Sequence, residues 1–96
     1  MKGVSKEELK IIANIIAPFK DKYNFFAYGS RVKGNFRELS DLDIMIRGKI
    51  PININDFEEL KEKFDNSSLP YIVNLVDYFS LTESFYNIIK EDLRKI

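Results

Sequence analysis

Two carboxylates two residues apart, Asp41 and Asp43, stand eleven positions after a Gly29-Ser30 pair, with Arg31, Lys33 and Gly34 between them. These residue types suit phosphate chemistry on an oxygen-bound cation. Alternate residues of an extended strand project from one face, so Asp41 and Asp43 can reach a single divalent ion, and two like charges so close are unfavourable unless a cation bridges them. A glycine lets backbone amides approach a phosphate closely, and a hydroxyl beside it adds a donor. Arg31 and Lys33 supply local positive charge. Alone, Gly-Ser is an ordinary turn, Asp-x-Asp a solvated strand face, and the two basic residues surface charge. Their joint occurrence points to a phosphate cradle beside a metal site.

Other chemistries are excluded by composition. The chain has 96 residues with neither Cys nor His, so thiol nucleophiles, His-containing triads, disulfides and Cys- or His-bound metals are impossible. Catalysis would use carboxylate, hydroxyl, ammonium and guanidinium groups, and a metal would be magnesium, manganese or calcium. Lys+Arg and Asp+Glu both number 15, so no basic excess supports bulk binding to nucleic acid or a membrane surface. Gly29 to Gly34 also has the glycine spacing of a P-loop, but Asn35 and Phe36 follow where Lys and Ser/Thr are required. Without a secretory h-region or an apolar run near the ~20 residues of a membrane span, a cytoplasmic protein is expected.

The elements that must position these groups are legible in the hydrophobic pattern. Ser5 and Glu8 form a capping box before a helix with Leu9, Ile12, Ile16 and Phe19 on one face, ending near Pro18 to Lys20. Tyr23 to Tyr28 reads as a strand, Gly29 to Ser40 as a loop that opens a short helix at Ser30, and Asp41 to Arg47 as a second strand. Asn55 with Glu58 predicts the cap of a helix with Phe57, Leu60 and Phe64 inward. Tyr71 to Tyr78 predicts a third, mostly buried strand, and Ser80 with Glu83 the cap of a last helix burying Phe85, Ile88, Ile89 and Ile96. The order α-β-β-α-β-α predicts a single domain over 1–96, of α/β (α+β) class, with a short mixed sheet packed with helices.

These residues resemble the minimal nucleotidyltransferase (MNT) family of the polymerase-β-like superfamily, whose pattern is Gly-Ser, a spacer, Asp-x-Asp and a third carboxylate on a later strand. Gly29-Ser30 and Asp41-Leu42-Asp43 fit it, with Tyr28, Gly34, Ser40 and Ile44 beside them. Leu69 to Asp77 looks like the family's Leu-Pro-aromatic-x-Val-Asp-Leu-hydrophobic-Asp segment, and the helix after Ser80 like its C-terminal helix, so the likeness covers essentially the whole chain.

The resemblance implies a nucleotidyltransferase fold and magnesium-dependent transfer of AMP from ATP to an acceptor hydroxyl. Such small proteins are typically antitoxins paired with a HEPN-type helical toxin, some of them adenylylating it. Gly29 and Ser30 would hold triphosphate oxygens, with Arg31 and Lys33 neutralising phosphate charge. Asp41 and Asp43 would be the catalytic metal ligands. The third carboxylate falls on Asn74, which offers a carbonyl oxygen but neither charge nor basicity. A unit charge at ~4 Å interacts by about 4 kcal/mol at an effective dielectric near 20, so its loss opposite a divalent ion weighs on metal affinity or rate. Asp77 stands three residues on and falls on the opposite strand face unless a bulge intervenes. Two classes follow: an active adenylyltransferase, or an impaired MNT protein that neutralises its partner by binding alone. A small α/β domain without a site is the third alternative. Self-association or a stable heteromer is compatible with the composition.

Overall fold

A computed structural model describes residues 1–96. The first helix, α1 (Lys6–Ile16), starts at the expected capping box: Glu8 N–H donates to Ser5 Oγ at 3.1 Å, and Ser5 N–H donates to Glu8 Oε1 at 3.0 Å. Ile12 and Ile16 are buried, and one 3-10 turn at Ala17–Phe19 carries Phe19 into the same core, whereas Leu9 stays exposed. Strand β1 (Asn24–Tyr28) leads through Gly29 into α2 (Ser30–Lys33), and the chain returns as β2 (Leu42–Arg47). Then come α3 (Ile54–Asp65), β3 (Val73–Asp77), α4 (Glu83–Ile89) and β4 (Arg94–Lys95).

The four strands form one mixed sheet in the order β3-β2-β1-β4. β1 and β2 are antiparallel, with Tyr28 opposite Asp43; β2 and β3 are parallel, with Asp43 opposite Asn74. Side chains alternate across the sheet, so each register row belongs to one face. Phe25, Ala27, Leu42, Ile44, Ile46 and Val73 point to the face covered by α1 and α3, where Ile12, Ile16, Leu60 and Phe64 close the main core. On the other face Tyr28 and Met45 pack with Ile89 of α4 in a smaller cluster. Only part of that second face is covered. The row Tyr28–Asp43–Asn74 ends at the open part. No helix is long and apolar enough to cross a membrane.

Four expectations are corrected. The third helix is capped by Asn53, whose Oδ1 accepts from Asp56 N–H at 2.8 Å, not by Asn55 with Glu58. Both registers offer an amide followed three residues later by an acid, and the tertiary contact decides: Tyr23 Oη donates to Asp56 at 2.7 Å, fixing the first turn. The last helix is capped by Thr82, because Ser80 sits in a 3-10 turn and donates instead to Asp77 O at 2.7 Å. Of its expected inward residues only Ile89 is buried; Phe85 and Ile88 are exposed, and Ile96 packs half-buried from beyond the helix. The third strand is buried only at Val73, since it lies at the sheet edge. Strand β4 was not expected: its pairing with Phe26 and Ala27 is supplied by backbone, not by apolar side chains.

Candidate active site

Asp43 stands in the middle of the site. Its strand neighbours put Tyr28 on one side and Asn74 on the other, and alternation puts Asp41 on the same face two residues earlier. Asn74 Nδ2 donates to Asp41 Oδ2 at 2.9 Å and to Asp43 Oδ1 at 3.2 Å, so side chains from β3, from β2 and from the residue just before β2 converge on one spot. Burial raises the Asp43 carboxyl above its ordinary range; the Asn74 hydrogen bond pulls it back and the Asp41 charge pushes it further up. Burial, with the Asp43 charge beside it, lifts the Tyr28 phenol to about 12, so Tyr28 is neutral at physiological pH and no base.

The bend after β1 meets these acids directly. Gly29 has φ 86° and a Cβ there would stand 2.5 Å from Asp43 Oδ2, so both the backbone conformation and the contact require glycine. Ser30 follows, half-buried, as the first residue of α2, and Gly34 in the left-handed region (φ 94°) ends that helix. Gly29-Ser30 and the acid pair therefore lie side by side.

Arg31 is placed differently from the expectation that it neutralises phosphate. The side chain is buried, 4% exposed, and turned into the protein. Its Nε donates to Ser40 O at 2.8 Å, Nη1 to Gly3 O at 2.8 Å, and Nη2 to Glu38 O at 3.0 Å and Arg37 O at 3.4 Å. The guanidinium also lies 3.8 Å from the centre of the Tyr71 ring and 5.1 Å from that of Phe36. Its planar fork is thus occupied in holding the loop that ends at Asp41. Lys33 remains half-exposed at the end of α2, paired with Asp92 at 3.6 Å.

Sequence reasoning missed the residues that hold Arg31. Tyr71 and Phe36 read as ordinary apolar positions, and Gly3 lies in a stretch without pattern; no spacing marks a carbonyl as an acceptor. A hollow of about 440 Å³ beside Asp43 is lined by Tyr28, Asp43 and Asn74 together with Phe57, Lys61 and Val76. A larger hollow of about 570 Å³ lies between α1 and α3, over the opposite face, and contains none of the converging groups. Asp77 falls in the row of Phe25 and Ile46, on the face away from Asn74, as strand alternation requires. It cannot join the pair.

Two carboxylates suit one magnesium ion, which commonly uses one or two carboxylates plus substrate phosphates and keeps several waters. The third position does not fit a three-carboxylate site, because Asn74 presents an N–H2 group, and no three acidic side chains of the chain are placed to hold one metal ion.

The profile of the polymerase beta, nucleotidyltransferase family matches residues 10–94. The chain belongs to this nucleotidyltransferase family. It is similar to a relative from Haemophilus influenzae named probable protein adenylyltransferase MntA, with 38% identity over 88 residues, spanning 92% of this chain and 77% of the relative. Among solved structures, the nucleotidyltransferase fold is shared with a toxin–antitoxin crystallised with AMP-PNP, at a TM-score of 0.71 and 22% identity, over 90% of this chain and 69% of the other. A protein from Sulfolobus solfataricus described as a putative nucleotidyltransferase aligns at a TM-score of 0.51 and 19% identity, over 90% and 72% of the two chains. In this member of the family the mixed four-stranded sheet places Asp43 against the Gly29 bend, and Asn74 links Asp43 to Asp41.

Proposed function

We propose that this nucleotidyltransferase is an antitoxin that transfers AMP from ATP to a hydroxyl of a partner protein, a HEPN-type helical toxin. The observation that carries this reading is the convergence of Asp41, Asp43 and the Gly29 bend on one open part of the sheet face. The relationship to a protein named probable protein adenylyltransferase MntA supports the choice of AMP and of a protein acceptor.

In the transfer, the acceptor oxygen bonds to the α-phosphorus, the bond to the bridging oxygen breaks, and pyrophosphate leaves. Backbone amides at Gly29-Ser30 and the Ser30 hydroxyl bind phosphate oxygens, and Lys33 supplies local positive charge at the end of the same short helix. Asp41 and Asp43 would hold Mg2+, which when bound supplies charge neutralisation at the triphosphate. Asn74 cannot accept the acceptor's proton, which leaves the two aspartates or water. Arg31 acts from behind the site by holding the segment that delivers Asp41.

Asn74 favours a second reading, a binding-only antitoxin that occupies its partner's surface. One experiment separates them. Wild type, Asn74→Asp and the double variant Asp41→Ala/Asp43→Ala are incubated with labelled ATP, Mg2+ and a HEPN-type toxin. Label on the toxin with wild type supports transfer. Label with Asn74→Asp alone rejects transfer by this chain, and neutralisation by the double variant then supports binding.

A further inference from the structure

Asp41 and Asp43 carry two negative charges with no basic side chain paired to them: the ion pairs of the chain are Lys22–Asp56, Lys33–Asp92, Lys61–Asp65 and Lys63–Glu59. Relief comes from Asn74, whose amide nitrogen has two N–H bonds and directs them to the two carboxylates at 2.9 and 3.2 Å. The reverse orientation would aim the amide oxygen at two acceptors, so chemistry selects the donor orientation.

We propose that Asn74 stands in for a cation in the resting site: it cross-links Asp41 and Asp43 so that the chain is stable without bound metal, and a divalent ion arrives only together with a triphosphate. The second half rests on the nucleotide reading of the Gly29-Ser30 bend; the first half does not. A bare ion would have to displace both hydrogen bonds and would gain only a neutral carbonyl in exchange. Two carboxylates form an incomplete shell for magnesium or manganese, and a triphosphate brings the missing anionic oxygens with it. An Asp at position 74 would reverse the balance, leaving three carboxylates and no donor when empty, and three anionic ligands for a free ion.

Thermal melting of wild type, Asn74→Asp and Asn74→Ala in EDTA and in millimolar Mn2+ tests the cross-link. Free-Mn2+ titration by electron paramagnetic resonance, with and without an α,β-nonhydrolysable ATP analogue, tests how the ion arrives. Wild type is expected to melt alike in both media and to take up Mn2+ only with the analogue. Asn74→Asp is expected to melt about 5 °C below wild type in EDTA, to recover in Mn2+, and to bind Mn2+ alone at least about tenfold more tightly. Asn74→Ala is expected to melt below wild type in EDTA by a smaller margin.

The cross-link is overturned if either variant melts with or above wild type in EDTA. Should Asn74→Asp fail to fold in both media, the melt of Asn74→Ala decides. Wild type binding Mn2+ alone as tightly as Asn74→Asp overturns joint arrival. No uptake with the analogue overturns joint arrival and the nucleotide reading together, while the EDTA melts judge the cross-link independently.

Discussion

At the scale of single residues, Gly29 and Arg31 show two ways in which a side chain, or the lack of one, shapes the candidate site. Gly29→Ala would force a Cβ into the Asp43 carboxylate from a left-handed backbone. The strain is about 1–3 kcal/mol, and the expected outcome is a lower melting temperature with loss of ATP-analogue binding by calorimetry. Arg31→Met would leave four carbonyls without their donor. A loss of about 3 kcal/mol is expected in denaturant unfolding, and Arg31→Lys should not restore it, because one ammonium cannot reach the fan of acceptors that a planar guanidinium spans. Asp56 predicts a pH effect of defined sign. The Tyr23 hydroxyl, followed by Lys22 and Asn53, holds its carboxyl below the ordinary 3.8. That contribution is therefore present above the unfolded value and is lost as pH falls through the folded one. In melts at decreasing pH, Asp56→Asn should lose less stability than wild type across that window.

At the scale of elements, the caps provide a direct test of how pattern and tertiary contact divide the work. Asn53 and Asn55 are both amides with an acid three residues later, but only Asn53 makes the capping bond. Asn53→Ala should lower stability by about 1 kcal/mol and Asn55→Ala should change it by less than about 0.5 kcal/mol; urea unfolding of the two variants checks both. The same comparison shows what was legible. Helices and central strands were read from periodicity because the main core imposes it on Ile12, Ile16, Leu60, Phe64 and β2. The register of α3 was not, because it depends on Tyr23, thirty-three residues away from Asp56 in the chain. Phe85 and Ile88 were misplaced because apolar spacing does not reveal how much of a face α4 covers. The acid pair and the Gly-Ser bend were readable, since alternation and turn chemistry are local. The inward turn of Arg31 was not, because its partners are backbone carbonyls from separated segments.

At the scale of the whole molecule, the first residues of the chain reach the site without touching its acids. Gly3 N–H donates to Arg31 O at 2.9 Å, and Gly3 O accepts from the Arg31 guanidinium, while Val4 is buried in the main core. Removing residues 1–4 is expected to lower stability by about 1–3 kcal/mol and to weaken ATP-analogue binding, measured by melting and calorimetry. Asp41, Asp43 and Asn74 depend in turn on two very different strand pairings. The β1–β2 hairpin brings Tyr28 to Asp43 within one short stretch, but Asn74 arrives only when β3 docks in parallel after the α3 crossover. Local hairpins close quickly, whereas parallel pairing across a crossover waits on a larger loop. Each folding molecule would thus pass through an interval with its acid pair built and no amide between them. The late strand then finishes the sheet and quiets that repulsion in one kinetic event, so the rate of β3 docking should respond to salt more than that of the hairpin.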